Sequence, residues 1–320
     1  MKSSFNLIGL VIALVVVFTT FGVLIPGGSF FHLDNLELML RQSSIIGLSA
    51  LGMTFVIIGG GIDLSVGSIT AFSSVVVAWM LLRDYSPWVA FVGAILTGTV
   101  SGILNGLLVT RLKVGPFIVT LGTMLIVRAV GKGLANNTSI TPKHETWLGK
   151  LIDPLKEPDR WHVLPWGVWW LIFLAVAMGL VLRYTRFGRH VVAIGSNEAA
   201  ARLCGVPIDR VKLAMYALNG AFCGLAGILL FAKLGQADPT SASGMELEVI
   251  AAVVIGGASL SGGEGTILGT LIGAMIMQTI KSGGAQKGWS DWVQEIVTGV
   301  IIVLAVALDR WRVRRAAEKG

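Results

Sequence analysis

The sequence predicts an all-α polytopic membrane protein, and three observations carry that expectation. Of the 320 residues, 54% are hydrophobic and only 13% charged, against about a quarter charged in ordinary soluble domains. The apolar residues gather in runs near the bilayer-crossing length of about 20 residues, and these runs follow one another almost to the C-terminus. The basic residues sit in short segments between them, so the net charge of +7 reads as membrane topology and not as a nucleic-acid surface.

Taken in order, the apolar runs fall at roughly 5–25, 43–60, 66–82, 88–109, 115–132, 165–183, 213–232, 246–258, 266–281 and 292–308, which makes about ten crossings in one continuous domain, 1–320. Lys2 followed by the first run has the outline of a signal peptide. The run is too long for an ordinary apolar core of that kind and lacks an Ala-x-Ala cleavage site, so it reads as a transmembrane helix. The run at 246–258 is the short one, since about 12 helical residues span only about 18 Å of a 30 Å core. It reads as part of a broken or re-entrant element that still crosses, because otherwise the basic tail would end outside.

Charge sets the sides. The loop at about 184–212 carries Arg186, Arg189, Arg202, Arg210 and Lys212 against only Glu198 and Asp209, so it is expected in the cytoplasm. The tail, with Arg310, Arg312, Arg314, Arg315 and Lys319, is alike. The segment at about 133–164 matches Lys143, Lys150, Lys156 and Arg160 with Glu145, Asp153, Glu157 and Asp159; it lacks the basic excess and is expected outside, in the periplasm. Six crossings from a cytoplasmic N-terminus reach the basic loop on the inner face, and four more return the C-terminus there.

The most unusual stretch is Gly59-Gly60-Gly61-Ile62-Asp63-Leu64-Ser65-Val66-Gly67-Ser68. Three consecutive glycines break a helix, and freed amide groups at membrane depth survive only against protein or a wet cavity. Two readings stand side by side: a gate or pathway wall, or a turn in which Asp63 or Ser65 caps the next helix. An echo extends both to a second place. Val56-Ile57-Ile58-Gly59-Gly60-Gly61 recurs as Val253-Val254-Ile255-Gly256-Gly257-Ala258, and Gly262 and Gly263 follow with Glu264. Broken or re-entrant elements are therefore expected near 59–68 and 256–266, in a parallel repeat of the kind transporters use.

Inside the basic loop, the stretch from Gly195 to Pro207 reads as a short isolated helix. Ser196 or Asn197 caps it, Glu198 suits the positive end of its dipole, Ala199 to Ala201 propagate it, and Gly205 with Pro207 ends it. Two turns are marginal alone in water, so the helix needs a dock, on this protein's membrane face or on a partner that pushes it as a lever. Polar residues within the spans are few. Arg128, Asn105, Asn219 and Gln278 face protein or a pathway, as interhelical glue or as solute contacts, and Arg128 lies near enough to an end to snorkel.

No P-loop, no His-Glu-x-x-His and no Gly-x-Ser-x-Gly occurs, the four histidines lie outside the spans, and Cys204 and Cys223 have neither CxxC spacing nor a His partner. No catalytic residue and no metal site is therefore expected, and any ATP chemistry belongs to another chain. No chain of intramembrane acids suggests proton coupling.

The segments Gly61 to Ser68, Gly195 to Ala200 and Glu248 to Gly257 resemble, in order, those of the ribose-type sugar ABC transporter permeases, a family that includes permeases for ribose, xylose, galactofuranose and autoinducer-2. The similarity covers nearly the whole chain and names no solute; Met245, Glu248 and Cys204 depart from the residues common there. The resemblance implies a multi-pass permease of the bacterial inner membrane for a monosaccharide or similar polyol. It implies as partners a second permease copy or sister permease, a cytoplasmic ATP-binding subunit carrying ATP and Mg, and a periplasmic sugar-binding protein. It makes Gly195, Asn197, Glu198, Ala199, Ala200, Arg202 and Gly205 the element coupled to the ATPase. Gly59, Gly60, Gly61, Asp63, Ser65, Gly67, Gly256, Gly257, Gly262 and Gly263 remain candidates for pathway or gate. A permease for another small solute such as branched-chain amino acids, or an ion-coupled secondary transporter, is the alternative reading.

Overall fold

The computed structural model describes residues 2–155 and 163–317; Lys156, Glu157, Asp159, Arg160, His162 and Lys319, on which part of the loop and tail charge pattern rests, lie outside them. Among the described residues the protein is all-helical. In chain order the helices are α1 (Lys2–Leu24), α2 (Leu33–Ile58), α3 (Val66–Leu82), α4 (Pro87–Leu112), α5 (Pro116–Leu134), α6 (Trp166–Tyr184), α7 (Arg186–Ser196), α8 (Glu198–Leu203), α9 (Ile208–Leu234), α10 (Met245–Ile255), α11 (Ile267–Gln286) and α12 (Asp291–Ala317), with a 3₁₀ turn at Pro26–Phe31. Six of them are long and apolar enough to cross a membrane, and α3 is a shorter apolar helix. The chain is a multi-pass membrane protein.

α2 is the central post. From Ser43 to Gly59 every residue is buried, as a helix apolar on all sides requires, and it packs against α9, α11, α10 and α6. α2 begins ten residues before the apolar run because the polar groups of its first turns find partners. Arg41 donates through Nε to the Ile152 carbonyl, and Glu37 accepts from Leu155 N at 2.9 Å. By contrast, α5 and α6 bury only narrow stripes and expose Phe117, Ile118, Leu125, Ile126, Phe173 and Val176, as helices at the rim of a bundle in lipid do.

Glycine lets α4 and α9 touch backbone to backbone. A Cβ on Gly98 would lie 2.1 Å from the Gly220 carbonyl oxygen, one on Gly220 2.1 Å from the Gly98 carbonyl oxygen, and one on Gly102 2.1 Å from that of Tyr216. Small residues spaced four apart, Ala94, Gly98, Gly102 and Gly106, form this face; such stripes drive helix association in lipid, where burial alone gives no preference for protein over acyl chain. The spacing is plain in the sequence, but which helix answers it is not.

The echo is a structural repeat. α2 ends at Gly59, with Gly60 at φ 79°, Gly61 N donating to Val56 O at 2.9 Å and Gly60 N to Ile57 O at 2.9 Å. α10 ends at Gly256, with Gly257 at φ 90°, Ala258 N donating to Val253 O at 3.1 Å and Gly257 N to Val254 O at 2.9 Å. Both are the same left-handed helix stop, which glycine adopts without the steric penalty of a Cβ. Each stop leads through an irregular segment into another helix, α3 or α11.

Candidate functional site

The two breaks and the basic loop meet at one junction. α7 docks by its buried Gly188, Val191 and Ile194, and Phe187 stacks on Phe55 of α2 with ring centroids 5.8 Å apart. This places Gly195, near the end of α7, on the C-terminus of α2. A Cβ there would sit 1.8 Å from the Ile58 carbonyl oxygen and 2.5 Å from Gly263 N. The same Ile58 carbonyl accepts the Gly263 N–H at 2.8 Å. Gly262 and Gly263, at φ 85° and 80°, wrap Gly195 and Ser196 so closely that a Cβ on Gly262 would be 2.7 Å from Gly195 O. Gly60 faces Gly195 across the contact, its notional Cβ 3.8 Å from Gly195 Cα. Residues that the sequence groups separately, Gly195 on one side and Gly60, Gly262 and Gly263 on the other, thus share one glycine-lined contact.

Beyond the junction the chain turns at Asn197, whose side-chain oxygen caps α8 by accepting Ala200 N at 2.9 Å. Glu198 holds α8 to α9: its carboxylate accepts from Lys212 Nζ at 2.7 Å and from Arg202 at 3.2 Å. The Lys212 hydrogen bond, more than the Arg202 contact, draws the Glu198 carboxyl below its ordinary range. Only Ala201 of α8 is buried; Ala199, Ala200, Arg202 and Leu203 are exposed, Leu203 to 91%. Gly205, at φ 78°, closes the helix, its N–H donating to Arg202 O and Val206 N–H to Ala201 O. Beside α8 a cavity of about 600 Å³ is bordered by Lys113 and Gly115 of the α4–α5 link, by Pro116 at the start of α5, and by Glu198, Arg202, Asp209 and Lys212.

The first break is fixed from three sides. Asp63 is fully buried and accepts from Ser65 N at 2.9 Å, from Ser65 Oγ at 2.5 Å and from Asn219 Nδ2 of α9 at 2.9 Å. Asn105 of α4 lies 3.4 Å from both carboxylate oxygens and donates to Ser65 Oγ at 2.7 Å. Leu64 N donates to Thr120 Oγ1 of α5 at 3.1 Å. Asp63 therefore shapes the turn at Ser65, the N-cap of α3, which has no side-chain cap hydrogen bond of its own, and also ties the turn to α4 and α9. Gly59 lies under Met215, and Gly61 under the Tyr216 hydroxyl. Gly67, in the first turn of α3, accommodates Glu246 Oε2 and the Ala242 carbonyl, 2.3 and 2.4 Å from where its Cβ would stand.

In the second break Gly256 meets the Gly269 carbonyl 2.4 Å from its notional Cβ, whereas Gly257 faces open space. Gln278 donates to Gln42 at 2.9 Å, and Arg128 donates to the Thr240 and Ser241 carbonyls. Lys212 and the Ile58 carbonyl were not legible as partners, the first being 14 residues from Glu198 and the second a backbone atom. Among the described residues no group of three or more His, Cys, Asp or Glu could hold a metal.

Comparison with known proteins shows the family of the chain. A family model described as branched-chain amino acid transport system / permease component matches residues 35–306. The ribose import permease protein RbsC of Escherichia coli (strain K12) is 40% identical over 304 residues, covering 93% of this chain and 92% of that one. The fructose import permease protein FrcC of Rhizobium meliloti is 36% identical over 309 residues, 96% of this chain and 85% of that one. A solved structure described as an inward-facing conformation of a metal-chelate type ABC transporter shares the fold, with a TM-score of 0.54 at 14% identity over 96% of this chain and 98% of that one. The chain belongs to this family of ABC import permeases, and it is a transporter component and not an enzyme.

Proposed function

We propose that the chain is the membrane-spanning subunit of an ABC importer for a monosaccharide, and that α7 and α8 pass the motion of an ATP-binding subunit to the two glycine breaks. The sugar class is supported by the relatives that import ribose and fructose. The observation that carries the coupling is the single contact of Gly195 with Ile58 O and Gly263 N: α7 cannot shift without moving the end of α2 and the second break together.

In this reading the whole of 1–320 is one transmembrane domain of about ten crossings in the bacterial inner membrane, with both termini in the cytoplasm. The segment at about 184–212 faces the cytoplasm and that at about 133–164 the periplasm. Asn197, Glu198, Ala199, Ala200, Arg202 and Gly205 shape the surface offered to the ATPase, and exposed Leu203 at the tip fills an apolar depression in it. ATP and Mg are held by that partner. A periplasmic sugar-binding protein delivers solute, a second permease copy completes the pathway, and lipid covers the apolar faces of α5 and α6. Gly59, Gly60, Gly61, Gly67, Gly256, Gly257, Gly262 and Gly263, with Asp63 and Ser65 as anchors, form the elements that change position as the transporter alternates between inward and outward access.

The description of the matched family favours a second reading, a branched-chain amino acid as solute. The test is ATP-dependent uptake by proteoliposomes holding the complex, with ribose, fructose and leucine offered in turn. Uptake of a sugar supports the proposal; uptake of leucine alone replaces it, and uptake driven by an ion gradient without ATP rejects both.

A further inference from the structure

An aromatic recess lies at the N-terminal ends of α4 and α6, far in sequence from the breaks and the basic loop. It has a volume of about 370 Å³ and is lined by Trp147, Lys150, Leu151, Trp166 and Trp170. Its walls are locked. Trp147 packs on Trp88 at 4.7 Å and on Phe91 at 6.0 Å, and Phe91 meets Trp170 edge-on at 5.7 Å. The floor is set by Gly167, whose N–H donates to Leu151 O at 2.8 Å. A Cβ at Gly167 would be 2.5 Å from Ile152 Cγ2, so only glycine lets the loop lie this close to α6.

Three features define an occupant. Trp166 is the first residue of a helix long enough to span, and Trp88 the second residue of another; tryptophans at span ends mark the level of lipid headgroups. Among the described residues Lys150 is the recess's only charged lining group, and it forms no ion pair with any of them. Along the two helices away from this end, Val92, Leu96, Phe173 and Val176 are exposed apolar side chains, Phe173 to 73%. A cation set among aromatic faces at the boundary, above an apolar wall, matches a phosphate with acyl chains attached. A neutral sugar would leave the ammonium without a counter-charge, whereas a phosphate supplies one.

We propose that this recess binds the headgroup of an anionic membrane phospholipid, with Lys150 on the phosphate and the acyl chains lying along α4 and α6. The inference rests on the membrane placement of the two helices and not on the identity of the solute, so it stands or falls apart from the transport proposal.

The test uses the full chain in nanodiscs of phosphatidylcholine containing a minor share of phosphatidylglycerol, released into the gas phase for native mass spectrometry. The wild type should retain one more phosphatidylglycerol per chain than Lys150→Glu, with at least a tenfold difference in the lipid concentration needed. Trp170→Ala, which opens one wall, should lower retention without abolishing it. Lys143→Glu, a charge reversal at a lysine paired with Asp84 at 2.6 Å outside the recess, should retain lipid as the wild type does. Equal retention by wild type and Lys150→Glu, or loss of retention to the same extent in Lys143→Glu, would overturn the proposal. Displacement of the lipid by inorganic phosphate or by free ribose would also overturn it, since the site would then read a soluble ligand.

Discussion

Replacing Gly195 with alanine tests the junction at its tightest point. The added Cβ would stand 1.8 Å from the Ile58 carbonyl oxygen, and an ordinary carbon–oxygen contact needs about 3.3 Å, so the two backbones must part by roughly 1.5 Å. Three groups meet there, so α7 cannot retreat without also loosening Gly262 and Gly263, or else the Gly263 N–H to Ile58 O bond must break. Overpacking of this kind costs about 1–3 kcal/mol, and the lost hydrogen bond adds about 0.5–1.5 kcal/mol. The sum corresponds to a shift on the order of 10- to 1000-fold in the equilibrium between docked and undocked α7. The exposed face of α8 is untouched, so the ATP-binding subunit should still copurify. The assay is the ratio of solute taken up to ATP hydrolysed in proteoliposomes, alongside thermal unfolding in detergent. Gly195→Ala is expected to keep basal hydrolysis, lower solute-stimulated hydrolysis at least tenfold and unfold earlier. Gly133→Ala, where a Cβ meets nothing within 4 Å, serves as the control. Unchanged stability and an unchanged transport ratio in Gly195→Ala would mean that α7 moves independently of the end of α2.

Other consequences follow from the same structure. Asp63→Ala leaves the Asn219 amide and the Ser65 N–H and hydroxyl without their acceptor and should destabilise the protein by about 2–5 kcal/mol; Asp63→Asn, which keeps the shape, should cost less, as thermal melts in one detergent can compare. Gly98→Leu should abolish the α4–α9 contact and the folded yield, whereas Gly122→Ala, facing open space, should be neutral by size-exclusion profile. The Glu198 carboxyl is held below its usual value of 4.5 by Lys212, so the tie it makes is fully present above that value and is lost as pH falls through its lowered folded-state value. Glu198→Gln should remove this acid sensitivity, read as proteolysis within the 196–206 segment against pH. Because the pair is partly exposed, the stability at stake is under about 1 kcal/mol.

How much of this was legible in the sequence depended on whether a feature is local. The stops at Gly60 and Gly257 and the cap at Asn197 were readable, because a left-handed turn and an N-cap are decided by a few neighbouring residues. The early start of α2 was not. Asp34, Glu37 and Arg41 break the apolar pattern, and what keeps the helix going through Glu37 and Arg41 is contact with a loop more than 100 residues away. Asp63 shows the limit most clearly. Its place in the turn could be named from position, but Asn105 and Asn219 were only isolated amides until folding brought α4 and α9 onto the break. The junction was invisible for a different reason: its central acceptor is the backbone carbonyl of Ile58, which no side-chain pattern reports. α10 illustrates the opposite case, since its 11 residues match the short run seen in the sequence and the length argument needed no tertiary knowledge.

The central claim is that this permease, driven by a separate ATPase, carries a monosaccharide. The most direct measurement is uptake of labelled ribose by proteoliposomes containing the chain, its ATP-binding subunit and its solute-binding protein, with and without internal conversion of ATP, and with fructose as the second sugar. One of these sugars should accumulate against its gradient, stopped when ATP is withheld and unaffected by collapsing ion gradients. Accumulation that persists without ATP, or that follows a sodium or proton gradient, would contradict it.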